Sequence, residues 1–182
     1  MIEAPKFSII IPAFQSADVI RSCLNSLMLQ IEISNAEIIV VESSGDGTTE
    51  IIKNEYPDVI LIESEVRLFP GAARNKAFQL ARGELLVLLD AHCVACDDWL
   101  SKIQGKFENP DINVLGGSRA LSPHASIFEQ LQARVEFGEF QPFLPFRIAR
   151  ILPAGNTTFR RNIIEKFSYS KLLRSAEDVV MS

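Results

Sequence analysis

The sequence has little of what marks several large classes of protein. Its 182 residues contain only three cysteines, an odd number that is too small for the disulfide framework of a secreted mini-domain. Lysine and arginine number 18 against 23 aspartates and glutamates, so the net charge is −5 and the basic surface that bulk nucleic-acid binding requires is lacking. No apolar run reaches the roughly 18 residues that span a bilayer. The first residues do not follow the basic-then-apolar pattern of a secretory signal.

What is present is the composition of an ordinary globular domain. Apolar residues make up 47% of the chain and charged residues 23%, which is enough to bury a core at a length typical of one domain. The low cysteine content and the missing signal pattern together predict a reducing, cytoplasmic environment.

Short apolar runs alternate with amphipathic stretches along the chain. Because sequential β–α units favour parallel pairing, this alternation predicts an α/β fold with a mainly parallel, doubly wound sheet and helices on both faces. The predicted strands are 7–11, 37–41, 59–62, 85–89 and 112–116, and the predicted helices are 19–28, 48–55, 71–81, 99–107 and 127–137.

Two of the loops that follow these strands carry groups suited to a nucleotide. In open α/β sheets ligands bind beyond the carboxyl ends of the strands. Glu42 and Asp46 follow the second strand and suit a ribose or base. The segment also fits a plain turn with Asp46–Gly47 as its corner and Thr48 or Thr49 as the cap of the next helix. Gly71 opens a helix whose N-terminus favours anions, and Arg74 is either a phosphate donor there or simply solvated.

The fourth strand runs into the segment LLDAHCVACDDWL. Asp90 and His92 lie two residues apart, which suits Mn²⁺ or another divalent first-row ion. Alternatively, His92, Cys93 and Cys96 form a zinc site that lacks a fourth ligand, the two cysteines form a redox pair, or they are simple buried thiols. Buried thiols are the favoured interpretation of both cysteines.

The last candidate feature is the acidic pair Glu177 and Asp178 near the end of the chain. Adjacent carboxylates can supply a general base when one is partly desolvated. Acidic residues in the first turn of a helix also occur simply because they complement the helix dipole.

Together and in this order, these segments resemble the family 2 glycosyltransferases, which have the GT-A fold of nucleotide-diphospho-sugar transferases. The resemblance rests on five segments that cover essentially the whole chain: FSIIIPAFQSADVIRSCLNSLMLQ, EIIVVESSGDGTTEII, GAARNKAFQLARGELLVLLDAHC, AGNTTFRR and AEDVVMS. It implies a Rossmann-like GT-A domain with a mainly parallel central sheet and helices on both faces. It departs from the commonest pattern at Phe14–Gln15, at Glu42, and at His92, which replaces an aspartate.

The resemblance also implies a role for each matching position. Asp178 is implied as the catalytic base, while Asn156 and Glu177 are implied on the acceptor side. Asp90 and His92 are implied to hold Mn²⁺ or Mg²⁺. The residues implied to bind the nucleotide sugar are Pro12, Ala13, Phe14, Glu42, Asp46, Arg74, Asp90 and Ala91.

The implied reaction is transfer of a sugar, most simply from a UDP-sugar, to a saccharide, lipid-linked or other hydroxyl acceptor in polysaccharide or glycoconjugate biosynthesis. The Asp-X-His-Cys segment also resembles the manganese motif of the retaining polypeptide N-acetylgalactosaminyltransferases, whereas Glu177–Asp178 favours inversion. The alternative is a nucleotide-sugar binding module with weak or no turnover.

Members of the family usually continue well past the Glu-Asp motif. The expectation is therefore a single catalytic domain over 1–182 that is truncated on its acceptor side, binds nucleotide and transfers sugar poorly. Membrane association would come through segments outside this chain, although the loop at 143–146 is a further candidate for contact with an acceptor or a membrane surface.

Overall fold

A six-stranded sheet forms the centre of the fold, in a computed structural model that describes residues 4–121, 126–128, 130–131, 138–140, 142, 144–149, 152–166 and 169. The strand order is β3-β2-β1-β4-β6-β5, and β1 to β4 are parallel while β6 is antiparallel to both of its neighbours. The mainly parallel α/β sheet is therefore confirmed. The strands are β1 Phe7–Ala13, β2 Ala36–Glu42, β3 Ile60–Glu63, β4 Leu85–Leu89, β5 Val114–Gly116 and β6 Asn156–Arg160.

The central strands are apolar on both sides because helices cover both faces of the sheet. All five residues of β4 are buried, as expected for an interior parallel strand. Side chains alternate across β1, so that Ile9 and Ile11 join one core cluster and Ile10 joins the other.

Five α-helices with described bounds flank the sheet. Helices α1, α2 and α4 contribute Leu24, Ile52 and Leu100 to the first cluster, whereas α3 contributes Ala73 and Ala77 to the second. Helices thus cover both faces, as predicted. The helices are α1 Ile20–Met28, α2 Thr48–Glu55, α3 Pro70–Phe78, α4 Trp99–Phe107 and α5 Arg161–Ile164.

Most predicted boundaries agree with the structure, and α3 differs most. It starts one residue early, at Pro70, because the first turn of a helix needs no backbone N–H. It ends three residues early because the chain then turns toward Gly83, which packs against β1 so closely that a Cβ would lie 2.5 Å from the Ser8 backbone nitrogen. In the predicted helix 127–137, residues 127, 128, 130 and 131 are helical and 132–137 lie outside the described residues.

A cavity of about 580 Å³ with a mixed polar and apolar lining lies along the edge strand β5. The loop at 144–149 forms its opposite wall, where Phe146 is two-thirds exposed and its ring lies 4.7 Å from the ammonium of Lys106. Phe143, at the other end of the predicted contact loop, is outside the described residues. Within the part of the chain that the structure describes, no helix has the length and apolar character needed to cross a membrane.

Candidate functional site

Three of the predicted nucleotide-binding residues meet where β1 and β2 end. Ala13 is paired with Glu42 in the sheet, so the loops after these two strands leave the same edge together. Asp46 joins them, because one of its carboxylate oxygens accepts a hydrogen bond from the Ala17 backbone N–H at 3.0 Å. Pro12 lies one residue back on β1, opposite Val41.

Both carboxylates of the β2 loop are satisfied by their own neighbours. Glu42 is 3% exposed and accepts hydrogen bonds from the Ser44 backbone N–H and the Thr49 hydroxyl. Asp46 is exposed and accepts from the backbone N–H and hydroxyl of Thr48 at 3.2 and 2.6 Å. The Ser44 hydroxyl lies between the two carboxylates. The contacts of Asp46 are thus those of a plain turn, but the N-cap of the helix that follows is Gly47 and not the predicted Thr48 or Thr49.

These contacts favour the ionised form of Asp46. Partial burial raises the pKa of this carboxyl, but hydrogen bonds from Thr48, Ala17 and Ser44 outweigh that effect and lower the pKa to about 2. The loop therefore presents a fixed negative charge beside the end of β1.

An arginine and two aromatic rings flank this loop. The guanidinium carbon of Arg67 lies 4.1 Å from the centroid of the Phe14 ring and 5.5 Å from that of Phe69. The Leu68 backbone N–H donates to the Ser43 hydroxyl at 3.1 Å, which ties this segment to the β2 loop. A flat cation–aromatic stack thus stands beside Glu42 and offers a face on which a planar base can lie.

The second cluster is centred on Asp90, directly after β4. Arg74 donates to its Oδ1 at 3.1 Å and Arg119 donates to its Oδ2 at 2.6 Å, so the carboxylate is held between two guanidinium groups. The side chain of Arg74 is 3% exposed and its guanidinium carbon lies 5.5 Å from the centroid of the Tyr169 ring. The interpretation of Arg74 as a solvated side chain is therefore wrong.

Asp90, His92 and Cys93 can each place one ligand atom so that all three lie within 4.8 Å of one another. Such convergence of an oxygen, a nitrogen and a sulfur fits one divalent ion. The full set with its sulfur suits Zn²⁺, a borderline ion, whereas Mn²⁺ and Mg²⁺ prefer oxygen ligands. Of these two ions Mn²⁺ is the transition metal and accepts an imidazole nitrogen beside a carboxylate more readily. Ala91, between the first two ligands, is buried.

The cysteines separate into three environments. Cys96 is exposed and its sulfur lies 3.4 Å from an Asp98 oxygen, so the interpretation of Cys93 and Cys96 as two buried thiols is wrong for Cys96. Cys93 is half-buried, and burial raises the pKa of its thiol. Cys23 is fully buried beneath the site, where burial raises its thiol pKa to about 12. Of the two cysteines in the predicted zinc alternative, Cys93 lies with His92 in the candidate metal cluster and Cys96 does not.

Asn156 is brought to the same edge by β6. It is paired with Leu89 in the sheet, its Oδ1 accepts from the Trp99 indole N–H at 3.1 Å, and its Nδ2 donates to the Ser118 carbonyl at 2.8 Å. The preceding Gly155 passes so close to Asp90 that a Cβ there would overlap the carboxylate.

The comparisons with known proteins agree with this geometry. The profile described as glycosyl transferase family 2 matches residues 8–168, which is most of the chain. The chain belongs to glycosyl transferase family 2. Among curated relatives, it is 39% identical over 92 residues to the poly(ribitol-phosphate) beta-glucosyltransferase of Bacillus spizizenii, a match that covers 47% of this chain and 14% of that protein.

Solved structures with the same fold include two glycosyltransferases. TarS 1-349 of S. aureus in complex with UDP has a TM-score of 0.76 at 22% identity, and the match covers 95% of this chain and 52% of that one. The mannosyltransferase PcManGT of Pyrobaculum calidifontis, in complex with GDP-Man and Mn²⁺, has a TM-score of 0.73 at 22% identity, with 97% and 50% covered. This family 2 chain therefore spans about half the length of these chains.

Sequence reasoning missed three residues of the site. Arg119 and Arg67 were not singled out, and Gly155 was not recognised as the backbone against Asp90. Arg119 follows β5, which runs in the same direction as β4, but that direction is set by the pairing of both strands with β6 and is not marked in the sequence. The predicted base Asp178 and its neighbour Glu177 lie outside the described residues, so their roles stay predictions.

Proposed function

We propose that this family 2 chain contains the donor site of an inverting glycosyltransferase that moves a sugar from a UDP-sugar to an acceptor hydroxyl in polysaccharide or glycoconjugate biosynthesis. The observation that carries the proposal is the meeting of two clusters at one edge of the sheet. A base-sized stack with acidic groups follows β1 and β2, and a cationic, metal-ligating cluster follows β4. A nucleotide diphosphate needs both.

Each described residue has a physical task in this proposal. Phe14 and Arg67 offer a face to the base, and the Glu42 loop lies where ribose hydroxyls need acceptors. Asp90 and His92 would hold the divalent ion, for which Mn²⁺ fits the donors better than Mg²⁺. Arg74 keeps the Asp90 carboxylate oriented and adds positive charge where the diphosphate would lie.

When bound, the divalent ion neutralises the charge that builds on the leaving nucleotide. We propose that Asp178 takes the proton from the acceptor hydroxyl as it attacks the anomeric carbon from the opposite face. Asn156 and Glu177 are proposed to line the acceptor side.

Support for a nucleotide-sugar donor comes from the fold neighbours, of which TarS is described with UDP and PcManGT with GDP-Man and Mn²⁺. Their identity to this chain is too low to choose between the bases. A titration of the whole 182-residue chain with UDP, GDP, CDP and ADP, with and without Mn²⁺, makes that choice. We expect UDP to bind best and to bind about tenfold more tightly with Mn²⁺.

Transfer is tested with Asp178→Asn against the exposed control Asp111→Asn. Loss of transfer by orders of magnitude with donor binding retained would support the base assignment, whereas retained transfer would rule it out. If the chain binds no nucleotide diphosphate, the proposed function is wrong. If it binds UDP and no form of the protein, this chain or a longer one, transfers sugar, the binding-module alternative replaces it.

A further inference from the structure

One guanidinium touches two of the three candidate metal ligands. Arg119 Nη2 lies 2.6 Å from Asp90 Oδ2 and 3.9 Å from Cys93 Sγ. We propose that Arg119 and the divalent ion compete for Asp90, so that Arg119 is the cation of the ion-free site and must leave Asp90 when the ion binds. The nucleotide arm of this proposal rests on the proposed function, whereas the competition itself does not.

The charges at the site make joint occupancy unfavourable. Both oxygens of the Asp90 carboxylate already face guanidinium groups, those of Arg74 and Arg119, so an ion that bound there would lie beside two cations. Asp90 is 21% exposed and Arg119 18% exposed, so water screens the charges only partly. A dication that entered beside both arginines would be repelled by both of them.

The two arginines are not equivalent. Arg74 is 3% exposed on helix α3, lies against Tyr169 and contacts the Asp90 oxygen Oδ1. Arg119 is the more exposed of the two and contacts the other oxygen, and its Nη2 also lies 3.9 Å from Cys93 Sγ. Arg119 therefore occupies the ligand side of the carboxylate, whereas Arg74 anchors it from within the fold.

The backbone around Arg119 is held while its long side chain can change direction. The Gly117 N–H donates to the Asn156 carbonyl at 2.7 Å, and Asn156 Nδ2 donates to the Ser118 carbonyl. The Arg119 N–H donates to the Phe140 carbonyl at 2.8 Å. Release of Asp90 therefore calls for a change in the direction of the Arg119 side chain and not for a shift of its backbone, and the proposal has the released guanidinium pair with an anion that enters with the ion.

Binding of the ion and of the diphosphate should therefore be coupled. The ion displaces Arg119 from Asp90, and a diphosphate gives both the ion and the released guanidinium a counter-charge. Without the anion, the ion has to displace Arg119 with no compensation. The same arginine should consequently oppose Mn²⁺ in the absence of nucleotide and support nucleotide in the presence of Mn²⁺.

The test is a titration of the whole chain with Mn²⁺ alone, followed by electron paramagnetic resonance of the free ion. Arg119→Gln should bind Mn²⁺ about tenfold more tightly than the unaltered protein, and Arg119→Lys should lie between them. The matched control is Arg21→Gln, which removes the same charge from an exposed ion pair with Glu55 on the outer helices. If Arg119→Gln binds Mn²⁺ no better than the control, competition is wrong.

A second titration, with UDP at saturating Mn²⁺, separates this inference from the proposed function. Arg119→Gln should bind UDP about tenfold more weakly than the Arg21→Gln control. A Mn²⁺ gain in Arg119→Gln without UDP binding by any variant would leave the competition standing and remove the function. If UDP binds but Arg119→Gln does not bind Mn²⁺ more tightly, the competition is wrong and the proposed function stands. Thermal unfolding checks each variant, and Arg119→Lys serves if Arg119→Gln does not fold.

Discussion

Two loops at the same edge of the sheet hold carboxylates in opposite ways. In the β2 loop, Glu42 and Asp46 take their hydrogen bonds mostly from neutral groups within seven residues along the chain, such as the N–H and hydroxyl of Ser44 and Thr48. In the β4 loop, Asp90 is held by charged side chains that are 16 and 29 residues away. Most hydrogen bonds of the β2 loop form within the loop itself, whereas the contacts of Asp90 form only once the sheet has assembled.

The difference separates carboxylates held by neutral donors from one held by charged side chains. Neutral, local donors leave the β2 carboxylates satisfied and fixed in place. The β4 carboxylate is paired with arginines that can also pair with an anion, and two further ligand atoms, from His92 and Cys93, stand beside it. Exchange of partners is therefore open to Asp90 in a way that the Glu42 loop does not offer.

Of the substitutions at the two loops, Asp90→Asn should have the largest effect on the free energy of unfolding. The amide has nearly the shape of the carboxylate but leaves the buried Arg74 without its counterion from Asp90, which should cost about 3 kcal/mol of the free energy of unfolding. It should also abolish the tightening of UDP binding by Mn²⁺. Urea unfolding and calorimetry measure the two losses.

The control for that substitution is Asp58→Asn, at an exposed turn before β3. It should change the free energy of unfolding by less than about 0.5 kcal/mol. If Asp90→Asn is as mild as Asp58→Asn and keeps the Mn²⁺ effect, the two loops do not differ as described.

The same difference between local and distant contacts decides which elements and site residues the sequence predicts. Elements bounded by local signals were predicted at their exact residues, as for Thr48–Glu55 after the Gly45–Gly47 turn and Trp99–Phe107 after Asp97 and Asp98. The residues of the β2 loop were found for the same reason. Apart from the bond from the Ala17 N–H to Asp46, the hydrogen bonds of Glu42 and Asp46 come from residues 44–49, a stretch that is continuous in the sequence.

Arg119 could not be found in that way, because its contact depends on the order of strands in space. Strand β5 reaches the β4 edge only through β6, which lies between them and is formed some 40 residues later along the chain. Nothing in the residues around Arg119 specifies that insertion. The close approach of Gly155 to Asp90 is hidden for the same reason, since it is a property of β6 meeting β4.

The second substitution adds a methyl group at Gly155, directly beside the Asp90 carboxylate. In Gly155→Ala the new methyl would overlap Asp90 Oδ2 and Arg119 Nη2, which cannot both shift without loosening their ion pair. We expect a loss of about 2 kcal/mol in the free energy of unfolding and a weaker response to Mn²⁺. Gly105→Ala is the matched control, because a Cβ there meets nothing within 4 Å and the residue lies inside α4.

Gly105→Ala should raise the free energy of unfolding by about 0.5 kcal/mol, since alanine is the better helix former. Changes of opposite sign in the free energy of unfolding for the same Gly→Ala substitution would show that the Asp90 site has no room for an added methyl group. A loss of equal size at both glycines would point to a general intolerance of the chain instead.

The smallest effect is expected in the β2 loop, from Asp46→Asn. The pKa of Asp46 is about 2, below the value near 4 of an unfolded chain, so its contribution to stability is present above about pH 4 and is lost as the pH falls through about 2. Because the side chain is exposed, solvent screening reduces the contribution to about 1 kcal/mol. The two proteins should therefore differ in free energy of unfolding at pH 7 and converge near pH 2.

Salt distinguishes the origin of that difference. The hydrogen bonds to Asp46 come from the N–H and hydroxyl groups of Ala17, Ser44 and Thr48, which carry no net charge, so added salt should change the Asp46→Asn difference little. The loss in Asp90→Asn involves charged partners that are partly exposed on the Arg119 side and should shrink as salt rises. Neutral donors would leave the loss of unfolding free energy in Asp46→Asn unchanged by salt. If that loss falls with salt as steeply as the loss in Asp90→Asn, long-range charge interactions stabilise both loops.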